Sequence, residues 1–129
     1  MLDTDSCIYI IRRKSQAIRE RLEARVIGDI GISAMTLAEL EYGAEKSSQS
    51  KRNREALEQF IEALEIAPFD RQASLQYGQI RAHLERKGQR IGGIDLLIAA
   101  HARSLSVTLV TNSEHEFKRV PGLRVENWM

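Results

Sequence analysis

Apolar and polar residues alternate along this chain with a helical period for most of its length. Leu57, Phe60, Ile61 and Leu64 recur at i, i+3, i+4 and i+7, the spacing of one buried face of a helix. Ala73, Tyr77, Ile80 and Leu84 repeat that spacing, on a helix that Asp70 caps and that ends near Lys87-Gly88. A helix from Thr36 to about Ser47 carries Leu37, Leu40 and Ala44 on one side. The polar run Ser47–Ser50 then separates two helices that fold back on each other. Ile94 to Leu105 is apolar nearly all round, which predicts the most buried helix of the molecule. Nearer the start, Thr4-Asp5-Ser6 offers capping side chains to a helix entered by Ile8, Ile10 and Ile11. Ser15 opens another helix through about Ala24, with Ile18 and Leu22 four apart.

Between these helices lie short extended segments. Residues 1–4, Ile30–Ser33, Ile66–Phe69, Val107–Thr111 and Leu123–Val125 read as strands, and Glu114–Arg119 as a turn or brief helix. Gly28, Asp29 and Gly31 supply the turn before the second strand. Strands that alternate with helices predict an α/β domain with a parallel sheet covered on both faces. In such sheets the functional crevice lies beyond the carboxyl ends of the strands. Asp3 ends the first strand and Thr111-Asn112 the fourth.

Composition narrows the picture modestly. With 129 residues, 43% of them hydrophobic and 29% charged, the chain reads as one globular domain spanning residues 1–129. No apolar run approaches the roughly 20 residues that cross a bilayer. No basic segment precedes Leu2-Asp3-Thr4-Asp5, and Cys7 is the single cysteine, so the expected location is the reducing cytoplasm. The formal net charge of +1 excludes nothing, but the cations are grouped. Arg12, Arg13, Lys14, Arg19, Arg21 and Arg25 form one group, and Lys46, Lys51, Arg52 and Arg54 a second. Arg81, Arg86, Lys87 and Arg90 form a third, just before Gly92. Each group reads either as a solvated helix face or as part of a phosphate-attracting rim.

The candidate chemistry rests on four acids far apart in sequence: Asp3, Glu39, Asp95 and Glu116. Each has an ordinary explanation on its own. Asp3 can end a strand, Asp95 can cap a helix after Gly92-Gly93, Glu39 can be one more helix glutamate, and Glu116 can pair with Lys118 or Arg119. Gathered in one partly buried pocket, they would repel one another unless a hard divalent cation such as Mg²⁺ held them together.

The segments around these acids resemble a known family. Met1-Leu2-Asp3-Thr4, Thr36-Leu37-Ala38-Glu39-Leu40-Glu41-Tyr42-Gly43, Gly92 to Ala100, and Val110-Thr111-Asn112 with Glu116-Phe117 are similar to the PIN-domain ribonucleases. More narrowly they resemble the VapC toxins of type II toxin–antitoxin pairs, and the closing Val120-Pro121-Gly122-Leu123-Arg124-Val125-Glu126-Asn127-Trp128 extends the likeness to the full chain. The resemblance implies a three-layer α/β/α sandwich around a central parallel sheet and Mg²⁺- or Mn²⁺-dependent cleavage of RNA. It assigns metal binding to Asp3 and Asp95, makes Glu39 and Glu116 the other members of a catalytic acidic quartet, and puts Thr111 beside the site. It also implies structured RNA, often a tRNA anticodon loop, as substrate, a cognate antitoxin as inhibitor, and a homodimer. Members usually carry Asn where this chain has Asp5 and Ser113. Asp5 caps a helix as well as Asn would, and its charge within reach of the ion predicts a changed metal requirement.

On this reading, water attacks an RNA phosphodiester in line and leaves a 5′-phosphate and a 3′-hydroxyl. No histidine takes a catalytic role: His101 is a packing residue, while His83 and His115 lie in charged surface segments. Cys7 reads as a small core residue, Trp128 as an anchor for the terminus, and Tyr9, Tyr42 and Tyr77 as core. Two other readings stand beside the nuclease. Asp3-Thr4-Asp5 resembles the paired aspartates of haloacid-dehalogenase-type phosphatases, in which Asp3 would be the nucleophile. A non-catalytic helical interaction module would use the apolar stripes alone and leave the placing of the acids unexplained.

Overall fold

A computed structural model describes residues 1–12, 16–24 and 29–128, with the backbone alone over residues 16–19. Arg13, Lys14, Ser15 and Arg25 to Gly28, and the side chains of Ile18 and Arg19, lie outside the described residues. The elements follow as α1 (Thr4–Ile11), α2 (Gln16–Glu23), β1 (Gly31–Ser33), α3 (Ala34–Lys46), α4 (Ser50–Ile61), β2 (Glu65–Ala67), α5 (Arg71–Arg86), α6 (Gly93–Leu105), β3 (Leu109–Val110), α7 (Glu114–Phe117) and β4 (Val125–Glu126).

Among the described residues all the strand pairings are parallel. Ile32 of β1 aligns with Ile66 of β2, and Leu109 of β3 with Val125 of β4. Leu2 joins the two pairs by bridging both Ile32 and Val110. The rows therefore run β2, β1, Leu2, β3, β4, so Leu2 occupies the middle of the sheet. Residues 1–4, expected as a strand, contribute only that Leu2 row, because Asp3 leaves the sheet to begin α1. The final strand lies at Val125–Glu126, later than the expected Leu123–Val125. β1 and β2 approach so closely that a Cβ on Gly31 would stand 2.8 Å from the carbonyl oxygen of Glu65. Only glycine fits there.

Side chains alternate through the sheet into two cores, as the period of a strand requires. Leu109 joins Ile80 and Leu84 of α5, Leu96, Ile98 and Ala99 of α6, and Phe117 on one face. Leu2, Ile32 and Val110 join Cys7 of α1, Leu40 of α3 and Leu57 of α4 on the other. This is the three-layer α/β/α sandwich, with α6 the most buried helix, as its apolar run predicted. Asp70 caps α5 by accepting from the Ala73 amide at 3.0 Å, again as expected. Trp128 is buried against the second core. Tyr42 departs from expectation: it is 65% exposed, with the Lys46 ammonium 4.9 Å from its ring centroid, because its position on α3 faces away from both cores. None of the helices among the described residues is long and apolar enough to cross a membrane.

Candidate functional site

Asp3 follows the central Leu2 row directly, so backbone pairing fixes its position: its amide donates to the Val110 carbonyl at 3.0 Å. It is also the N-cap of α1, accepting from the Ser6 amide at 2.9 Å. The expected cap at Thr4–Ser6 thus belongs one residue earlier, and Asp5 lies exposed in the first helical turn rather than capping it. Asp3 is 3% exposed, and burial pushes its carboxyl above the usual range despite hydrogen bonds from Thr111 and Ser6. A carboxylate held in this way is costly to charge without a cation nearby.

Glu39 arrives on α3, which starts where β1 ends. Ser33 caps α3 by accepting from the Met35 amide at 3.0 Å, and its hydroxyl meets Nδ1 of His101 at 2.7 Å. That contact ties α3 to α6, the helix that carries Asp95. His101 is buried against Phe69, with ring centroids 5.3 Å apart, and serves packing as expected. The Thr4 hydroxyl donates to Glu39 Oε1 at 2.5 Å, joining α1 to α3.

Asp95 stands in the first turn of α6. The N-cap is Gly92, with no side-chain cap, so Asp95 is not the cap that its place after two glycines allowed. Its carboxyl is pushed up to about 6 by burial, then by the negative charges of Glu116, Asp3, Asp5 and Glu39. This one perturbation places all four candidate acids, and Asp5 besides, within electrostatic reach of a single group. Glu116, in the first turn of α7, accepts from the Gly92 amide at 3.0 Å. Thr111 and Asn112 close the floor at the end of β3. The Thr111 hydroxyl accepts from the Ser113 amide at 2.9 Å, and the buried Asn112 Oδ1 has no hydrogen-bond partner.

The acids are brought to one end of the sheet but are not drawn into a cage. Among the described residues no group of three or more acidic, histidine or cysteine side chains has the arrangement of a metal site. The electrostatic coupling at Asp95 and this looser geometry agree once the hydrogen bonds are considered. Glu39 is turned to the Thr4 hydroxyl and Glu116 to the Gly92 amide, so each keeps a hydrogen-bond partner while staying within electrostatic reach of Asp95. Ion pairs among the described residues engage Glu41, Glu45, Glu85 and Glu114, and none engages the quartet. An all-oxygen donor set with unneutralised charge suits a hard divalent ion.

Thr4, Ser6 and Gly92 were missed as contributors to the site. Thr4 is legible in hindsight as a hydroxyl directly after a strand-ending aspartate, whereas the Gly92 amide leaves no mark in sequence. A separate cavity of 340 Å³ is lined by Met1, Gly31, Glu65 and Thr108 at the starting ends of the strands, and contains none of the quartet.

Residues 1–123 match the family model described as PIN domain. The chain is 48% identical over 128 residues to the tRNA(fMet)-specific endonuclease VapC of Salmonella typhimurium, covering 99% of this chain and 96% of that protein. It is 44% identical over 129 residues to ribonuclease VapC2 of Rickettsia felis, covering 99% and 96%. The crystal structure of DNA-bound VapBC from Salmonella typhimurium superposes with a TM-score of 0.96 at 47% identity, over 100% of this chain and 97% of that one.

Proposed function

The chain belongs to the PIN-domain family, in its VapC ribonuclease branch, and we propose that it is a metal-dependent endoribonuclease toxin whose four acids cleave structured RNA. The observation that carries this reading is the carboxyl of Asp95, raised to about 6 by burial and by Glu116, Asp3, Asp5 and Glu39 together. Asp3 and Asp95 would hold Mg²⁺ or Mn²⁺. When bound, such an ion supplies positive charge to the phosphate oxygens and makes water more acidic.

The chain's own groups do the positioning. Thr4 holds Glu39 on the α1 side of the site, and the Gly92 amide holds Glu116 on the α6 side. Thr111 and Ser6 orient Asp3. Each glutamate is thereby set to accept a hydrogen bond from water approaching a phosphate at the end of the sheet. In-line attack would leave a 5′-phosphate and a 3′-hydroxyl. The phosphatase reading loses support, because Asp3 is buried and occupied as a helix cap rather than presented as a nucleophile.

The relatives' names favour tRNA as substrate: those from Salmonella typhimurium and Shigella flexneri are called tRNA(fMet)-specific endonucleases. Solved neighbours include VapBC complexes, which supports a cognate antitoxin as partner. A homodimer is part of the same proposal. Incubating the protein with total tRNA, with Mg²⁺ or with EDTA, and mapping the ends tests the reading. Metal-dependent cuts with 5′-phosphate ends are expected; intact tRNA at every metal concentration refutes it.

A further inference from the structure

Beside the acidic site, α5 and α6 leave a cleft of 680 Å³ between the end of one helix and the start of the other. Leu84, Ile91 and Leu96 form its apolar floor, and Tyr77, Arg90 and the ion-paired Arg81 and Glu85 stand on its walls. We propose that this cleft is the docking site for the RNA nucleotides next to the cleaved bond, with Tyr77 offering a ring to a base, and with Arg90 on the wall and Lys87, the C-cap of α5 just outside the lining beside Gly88, binding flanking phosphates. The proposal rests on the nuclease reading above and adds where the strand lies.

The cleft adjoins the acids directly. Gly93 and Leu96 line it from the same first turn of α6 that carries Asp95. Gly92, immediately before, binds Glu116 through its amide. The Arg119 guanidinium donates to the Arg90 carbonyl at 2.7 Å, fastening the rim of the cleft to the segment that follows Glu116. A strand whose phosphate sits among the acids therefore has this cleft as its neighbour.

Charge favours the same occupant. Arg54 is held by Glu41 and Glu45, and Arg81 by Glu85. Arg86, Lys87, Arg90 and Arg119 are in none of the ion pairs found among the described residues. Unpaired cations beside an uncompensated acidic pit suit a polyanion that must approach carboxylates, since the rim offsets the repulsion the pit would exert. A cationic peptide would meet the opposite field at this rim.

The walls also suit a base. The Tyr77 hydroxyl accepts from Arg81 at 2.9 Å, and the guanidinium lies 6.0 Å from the ring centroid. An aromatic face held beside a guanidinium, above an apolar floor, is a sequence-tolerant platform for an unpaired base. The third basic group in the sequence, equally readable as a solvated helix face, thus acquires a specific task.

The test uses a fluorescein-labelled RNA stem–loop in EDTA for binding, and the same RNA with Mn²⁺ for cleavage. Lys87→Glu with Arg90→Glu should weaken binding at least about tenfold and reduce the slope of log affinity against log salt by roughly 1.5, the share of two phosphate contacts. KM should rise with kcat within about twofold, since saturating RNA still reaches the acids. Tyr77→Leu should weaken binding by about tenfold while leaving the salt slope unchanged, the mark of a lost stacking contact. Circular dichroism melts confirm that the variants fold. Wild-type affinity and salt slope in the charge variant, with the parent still cleaving, would overturn the docking site while sparing the nuclease. The docking site falls equally if the variants bind RNA normally and lose only a protein partner. Absence of cleavage by the parent would instead strike the nuclease reading.

Discussion

Replacing Asp95 by Asn should make the metal-free protein more stable while abolishing cleavage. Burial and the surrounding acids lift the Asp95 carboxyl from 3.8 to about 6, so ionising it in the folded state costs roughly two pKa units. At about 1.4 kcal/mol per unit this is ~3 kcal/mol before solvent is considered. Asp95 is only half-buried, and screening by water reduces the figure to ~1.5 kcal/mol. Removing a negative charge from the first turn of α6 forfeits about 0.5 kcal/mol of helix-dipole stabilisation, leaving a net gain near ~1 kcal/mol. For a chain of this size that is about 3–5 °C in melting temperature.

The sign of the pH dependence follows from the direction of the shift. A carboxyl with a raised folded pKa gives its full stability below its unfolded value and loses it as pH rises toward the folded one. The advantage of Asp95→Asn should therefore be small near pH ~4 and complete above pH ~7. Thermal melts in EDTA at both pH values measure it. Adding Mn²⁺ should reverse the order, raising the wild type above the variant because the ion turns repulsion into attraction. A variant that melts below wild type in EDTA at neutral pH would refute the electrostatic argument, and so would an advantage independent of pH.

Asp3 should behave differently, because it is also a cap: Asp3→Asn and Asp3→Ala should both end cleavage, yet only Ala should lose about 1 kcal/mol in urea unfolding, through the Ser6 amide left unpaired. Thr4→Val should leave the fold intact and release Glu39, lowering kcat roughly tenfold in RNA cleavage assays. His101→Ala should cost about 2–4 kcal/mol in denaturant midpoints, by opening a cavity and leaving the Ser33 hydroxyl with the Met35 amide alone as partner. Burial holds the His101 imidazole below its usual pKa, so wild-type stability should be full above pH ~6.5 and fall as acid protonates it. Asp5→Asn should shift the Mg²⁺ concentration for half-maximal cleavage, since the Asp5 charge reaches Asp95; an unchanged profile would leave Asp5 without influence on the ion.

Much of the fold was legible because burial imposes periodicity. The stripes on α4 and α5, the Asp70 cap and the apolar α6 each followed from spacing and local hydrogen bonding alone. The strands were harder, since runs of only two or three residues leave almost no period to read. Tyr42 was misplaced because an aromatic on a helix looks the same from sequence whether it faces a core or water. At the site, the four acids stood out only through their motifs. What sequence did not disclose were groups acting through backbone geometry, such as the Gly92 amide on Glu116, or through partners far along the chain, such as Thr4 on Glu39. Local rules cannot see contacts of that kind.

The Leu2 row also dictates when the molecule can become active. Leu2 and Asp3 leave the ribosome long before Val110, the neighbour that both of them pair with. A nascent chain thus carries Asp3 and Glu39 before Glu116 has been made to set against them. If the proposed cleavage of tRNA holds, the chain is built amid its own substrate with its acidic pocket incomplete until α7 and β4 have been made.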